Sequence, residues 1–185
     1  MARYTADQEL ERARWRGFRR ERPELVVTPG VGQESVWDYP RPPRVERVTA
    51  LVRVDLGGVV LASSARGYRV CETAGPPVYY VPQADVRMEV LQATSGTALC
   101  EWKGVATYWT ARVGARVVAD VGWSYPDPEP AYGAIRDFLA FFPGRVDAAF
   151  VGGEAVRPQP GGYYGGWITA GIVGPFKGEP GSEAW

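Results

Sequence analysis

A chain of 185 residues, 45% of them hydrophobic and 23% charged, is long enough for one substantial core and has the composition of an ordinary folded protein. Its formal net charge of zero provides no global field to steer it towards nucleic acid or an anionic membrane, and no apolar run approaches a bilayer span. With two cysteines and no histidine, it lacks the means for a disulfide scaffold, for Ser-His or Cys-His nucleophile activation, and for a His-containing metal site.

From these limits follow the first expectations. Any acid–base work falls to Asp, Glu, Tyr, Lys or Cys. A zinc site would need carboxylate ligands, so neither a metal nor a cofactor is expected. The start Met1-Ala2-Arg3-Tyr4 lacks a signal-peptide core, and a cytoplasmic location is the default. The 19 arginines against two lysines are read as the mark of a GC-rich genome rather than of nucleic-acid recognition.

Residues 5–22 read as a helix, because Thr5 and Gln8 have capping-box spacing ahead of the run from Glu11 to Arg20. Its arginines are partly balanced by Asp7, Glu9, Glu11 and Glu21, as in a solvated arm. Prolines and glycines from Pro23 to Pro43 forbid long regular structure, so residues 1–47 form a helix and an extended connector, pinned by Trp37 and Tyr39. A β-rich domain is expected over 48–157. Val52, Val54 and Leu56 alternate with Arg53 and Asp55, and Gly57-Gly58 allows a tight turn into Val59-Val60-Leu61.

Further strand-like runs lie at 68–73, 78–81, 86–91, 98–102, 105–112 and 115–123. Their spacing predicts a mainly β, α+β fold: a compact antiparallel sheet, tent- or barrel-like, rather than βαβ units. One amphipathic helix is expected near 128–142, with Asp127 as cap, Pro128 in the first turn, and Ile135, Phe138, Leu139 and Phe142 on one face. A second glycine hairpin at Gly152-Gly153 follows. The tail 158–185 is rich in Gly and Pro but carries Tyr163, Tyr164, Trp167, Ile168, Phe176 and Trp185. It is expected to pack on the domain or on a partner subunit, with a homodimer through this tail as one outcome.

Several segments carry a resemblance. They are Arg66-Gly67-Tyr68-Arg69-Val70-Cys71-Glu72-Thr73, Pro76-Pro77-Val78-Tyr79-Tyr80-Val81-Pro82, Asp85-Val86-Arg87, Cys100-Glu101-Trp102-Lys103-Gly104 with Ala106 and Tyr108-Trp109, and Trp123-Ser124-Tyr125-Pro126-Asp127-Pro128. Together, over about residues 48–150, they resemble the bacterial family catalogued as domain of unknown function 427, labelled nucleotidyltransferase-like. The resemblance implies a small β-rich domain related to tent-like folds. Members of that family often carry a histidine after the Glu-Thr pair, where this chain has Ala74-Gly75. The family's Cys-Pro-Tyr-Lys-Gly pattern stands here as Cys100-Glu101-Trp102-Lys103-Gly104.

Cys100 and Lys103 form the sharpest candidate pair, since an ammonium lowers a nearby thiol's pKa. On a continuous strand, however, Cys100 would share a face with Trp102, and Lys103 would point away. Cys100 and Cys71 are therefore read as small core residues. No Asp-x-Asp pair, Walker-type loop or nucleotide glycine fingerprint stands in the chain.

The remaining signal is a set of aromatic and cationic residues on adjacent short strands. Arg66, Glu72, Tyr79, Tyr80, Arg87, Lys103 and Tyr108 are the candidate ligand-binding residues of a polar–aromatic pocket for an unidentified small molecule. Two alternatives stand beside it. One is a nucleotidyltransferase-like enzyme acting on a nucleotide or phosphorylated substrate; the other is a protein-interaction module using the arginine-rich arm and aromatic tail.

Overall fold

The structure is a computed structural model that describes residues 3–183 and Trp185. The capping box forms as its spacing predicts: Thr5 accepts from the Gln8 backbone N–H, and the Gln8 side chain accepts from Thr5. Helix α1 runs over Ala6–Gly17 and stops short of residue 22. The connector contributes β1 (Glu34–Ser35) and a short 3₁₀ turn in which Trp37 is buried.

The domain follows as β2 (Arg44–Arg47), β3 (Val52–Leu56), β4 (Val59–Ser64), β5 (Tyr68–Cys71) and β6 (Val78–Val81). Three longer strands come next, β7 (Leu91–Cys100), β8 (Gly104–Val113) and β9 (Arg116–Ser124), then β10 (Leu139–Phe141). The chain ends with β11 (Ala148–Val151), β12 (Glu154–Ala155), β13 (Arg157–Pro158), β14 (Trp167–Ile168) and β15 (Ile172–Val173).

Seven strands form an antiparallel sheet in the order β2-β5-β6-β10-β9-β8-β7, and four form a second in the order β12-β11-β3-β4. The large sheet keeps two edges, β2 and β7, so it is not a closed barrel. Both glycine hairpins form as expected and lie in the small sheet. Gly57 and Gly58 sit at φ 62° and 77°, and Gly152 and Gly153 at 59° and 87°, the left-handed pair that a two-residue hairpin needs.

The sheets face each other across the main core. Val52, Val54, Leu56 and Leu61 of the small sheet meet Tyr79, Val81, Val121, Leu139 and Phe141 of the large one. Because side chains alternate along a strand, the next residues emerge on the opposite face. Tyr80, Trp123, Tyr125, Ala140 and Phe142 gather there as a second, mostly aromatic cluster. Fully burying rings of this size contributes on the order of 2–3 kcal/mol each.

Two expected elements are corrected. Residues 128–142 form no amphipathic helix: Pro130–Ile135 is a kinked 3₁₀ segment, Asp137 has φ 60°, and Leu139–Phe141 is a central strand between β6 and β9. A strand covered on both faces has no polar side. Its continuous apolar run therefore mimics one face of a helix, while Pro126, Pro128 and Pro130 oppose helical continuation. The run 86–91 is likewise not a strand, since Met88–Val90 is a 3₁₀ turn that enters β7.

The tail packs on its own domain. Trp167 is fully buried against Tyr79, with ring centroids 5.2 Å apart, and its indole N–H donates to the Phe141 carbonyl at 3.1 Å. Trp185 meets Trp37 edge-on at 5.2 Å. Arg12 of α1, almost fully buried, stacks 3.7 Å from the Tyr4 ring and pairs with Glu129. Among the described residues no helix is long and apolar enough to cross a membrane.

Candidate functional site

The second face of the large sheet is not fully covered. Its aromatic cluster floors a pocket of about 390 Å³. Tyr80 lies at its base, receiving a hydrogen bond from the Trp123 indole at 3.3 Å, and Trp123 packs on Phe142 with centroids 4.5 Å apart. Tyr108 stacks on Phe142 at 6.5 Å from the neighbouring strand. The walls come from distant parts of the chain: Trp15 and Arg20 from the N-terminal arm, and Tyr163, Tyr164 and Lys177 from the tail.

At one side a group of charges faces this aromatic floor. Glu72, just beyond β5, lies between three cations. Its Oε1 is 3.6 Å from Arg20 and 3.5 Å from Arg41, and its Oε2 is 3.9 Å from the Lys103 Nζ. Arg41 also pairs with Glu101 at 2.6 Å. Buried Nε atoms of Arg20 and Arg41 and the Trp102 indole nitrogen have no hydrogen-bond acceptor among the described residues. Unmatched buried donors of this kind are costly to the fold.

The strand geometry expected around Cys100 is corrected here. β7 ends at Cys100, and Glu101–Lys103 is a turn, closed by Gly104 at φ 102°, so alternation stops. The Lys103 backbone N–H then lies 3.5 Å from the Cys100 sulfur, and both residues reach the same pocket. Burial opposes the Lys103 charge, but the Cys100, Glu72 and Tyr80 groups outweigh it and raise its pKa. Lys103 therefore stays a cation. Tyr80 is pushed up to about 12 by burial, partly countered by Lys103, and keeps its proton.

Lys177 behaves in the opposite way. Burial lowers its pKa to about 8, and the Arg20 charge lowers it further against the pull of Glu72. Its Nζ lies 5.2 Å from the centroid of the Tyr164 ring, and no carboxylate among the described residues forms an ion pair with it.

Of the seven candidate residues, Glu72, Tyr80, Lys103 and Tyr108 line this pocket. The other three do not. Tyr79 alternates to the core side, against Trp167. Arg66 is held by both oxygens of Asp85, at 2.9 and 2.6 Å, and Arg87 pairs with Glu89 at 2.9 Å. Both of these arginines are engaged at the surface beside the small sheet, where Asp85 also accepts from Ser64 and the Arg87 N–H donates to Leu61. The lining residues that the sequence pattern missed include Arg20, Tyr164 and Lys177, and Arg41 stands behind them on Glu72 and Glu101. One available signal was the scarcity of lysine, since both lysines of the chain line the pocket.

Cys71 is buried and unpaired, and burial, with Glu46 and Glu34 nearby, pushes its thiol up to about 12 against the opposing Arg69 charge. Among the described residues no three His, Cys, Asp or Glu side chains are grouped to hold a metal ion. Residues 44–152 match the model of a protein family described as Domain of unknown function (DUF427). No curated protein matches the chain.

Proposed function

The chain belongs to the domain of unknown function 427 family, and for this member of it we propose the binding of a small planar molecule that carries an anionic group. The observation that carries this reading is the pocket itself, with a floor of Tyr80, Trp123 and Phe142 below a side lined by Lys103, Arg20 and Lys177. Rings stack a planar ligand, and the fixed cations Lys103 and Arg20 take its negative end. The five wall residues Trp15, Arg20, Tyr163, Tyr164 and Lys177 lie outside the matched segment 44–152. The pocket thus needs the arm and the tail as well as the family core.

Both flanks are engaged within the chain, through Arg12–Glu129 on one side and Trp167 on the other. This favours a role for them as walls over a role as free partner-binding segments. A cytoplasmic setting belongs to the same proposal, supported by two cysteines that remain thiols.

The test is a thermal-shift screen of the full chain against nucleotides, nucleosides, sugar phosphates and aromatic carboxylates, with and without Mg²⁺. A ligand at a hundred times its Kd stabilises by about 2.7 kcal/mol. The expected result is a metal-independent shift that Tyr108→Ala weakens. A shift that requires Mg²⁺ would favour the nucleotidyltransferase-like reading instead. A screen without any stabilising compound would end the proposal.

A further inference from the structure

We propose that the pocket takes a carbonyl compound and that the ε-amino group of Lys177 condenses with it reversibly, forming an imine and releasing water. The inference rests on the binding role just described and names the chemical class of its ligand: an aldehyde or ketone on a planar framework with an anionic group.

Three observations support it. First, residue choice: the chain uses arginine at 19 basic positions and lysine at two, and both lysines line this one pocket. Arginine remains charged and offers no nucleophilic lone pair, so a site that needs an amine must depart from that habit. Second, position: Lys177 stands at the pocket wall beside the Tyr164 ring, and no carboxylate among the described residues pairs with it to hold it as an ammonium. Third, the two lysines are set apart by their surroundings. Lys103 is kept charged beside Glu72 and Cys100, whereas burial and Arg20 leave Lys177 substantially neutral near pH 8.

These differences divide the work. Lys103 and Arg20 hold the anionic end, and Lys177 meets the carbonyl carbon. The nitrogen lone pair forms the C–N bond as the carbonyl π pair moves to oxygen, giving a carbinolamine. Both nitrogen protons then leave with that oxygen as water, and the C=N bond forms. No electron is gained or lost.

The experiment uses 4-formylbenzoate as the carbonyl probe and 4-methylbenzoate as the matched compound without a carbonyl. The full chain is treated with the aldehyde and cyanoborohydride, which reduces any imine to a stable amine, and the adduct is located by peptide mapping. At pH 8 a lysine with a pKa near 8 has on the order of a hundredfold more free amine than an ordinary one. Lys177 is therefore expected to label at least about tenfold faster than Lys103, with a rate that rises through pH 8 and then levels. In the urea-unfolded chain the two should label alike, and Lys177→Arg, with its fold checked by circular dichroism, should lose the adduct.

Binding of 4-methylbenzoate with no Lys177 adduct overturns the imine and leaves the pocket standing. Failure of both binding and labelling overturns both readings. Equal labelling of the two lysines in the folded chain overturns the imine as a property of this site.

Discussion

The carboxylate of Glu72 lies 3.9 Å from the ammonium of Lys103, although 31 positions separate them in the chain. The same carboxylate also faces Arg20 and Arg41, so it offsets cations from three separate segments, with Glu101 sharing Arg41. Glu72→Gln should therefore destabilise the fold by about 2 kcal/mol, because it strands partly buried cations rather than deleting one exposed pair. Urea unfolding at pH 7 measures this. A change under about 0.5 kcal/mol would show that the cluster is held by packing alone.

Lys177 predicts a pH dependence with a definite sign. Its folded pKa, about 8, lies below the ordinary 10.5, so the unfolded chain binds more protons between these values. Stability should then rise with pH across that window, as the folded-state penalty of a charged Lys177 disappears. Lys177→Met removes the penalty. It should raise Tm at pH 7, with the gap closing towards pH 10. A gap that is constant with pH would contradict the depressed pKa.

Gly122 has no room for a side chain. A Cβ there would stand 2.3 Å from the Ala140 carbonyl oxygen and 3.2 Å from the Phe141 ring, in the centre of the large sheet. Gly122→Ala should cost more than about 2 kcal/mol, because the clash is with backbone that cannot move without breaking the β9–β10 ladder. A thermal melt that matches the wild type would refute this placement of β10.

Cys71 should resist alkylation in the folded chain. Its thiol is fully buried and its pKa is pushed up to about 12, so thiolate is scarce at pH 8. Mass spectrometry after iodoacetamide should show Cys71 modified only in urea. Rapid labelling of native Cys71 would mean that the β2–β5 edge opens readily.

Arg12 anchors the N-terminal arm through Glu129 and the Tyr4 ring. Arg12→Ala should cost about 2 kcal/mol and expose residues 3–17 to limited proteolysis while the sheets stay folded. Unchanged protease resistance would show that the arm is held by its other contacts, such as Arg16 to the Glu101 carbonyl.

Local chemistry was legible without the structure. The Thr5–Gln8 capping box, the Gly57-Gly58 and Gly152-Gly153 hairpins and the alternation in Val52–Leu56 each depend on near neighbours, and each forms as its pattern predicts. The same alternation explains why adjacent Tyr79 and Tyr80 part ways, one to the core and one to the pocket. Which face would be which could not be read from the pattern, because both faces of the central strands carry apolar side chains.

Residues 139–141 failed for that reason: a strand flanked by apolar material on two sides has no period to display. The Cys100–Lys103 relationship depended on a turn that ends the strand, and the grouping of Arg20, Glu72, Lys103 and Lys177 on contacts spanning most of the chain. The amino-acid sequence by itself determined the β-rich class, the hairpins, the cap and the family. Only the tertiary structure decided the pocket, because its floor and walls meet through long-range strand pairing and the folding-back of both ends, which no local pattern encodes.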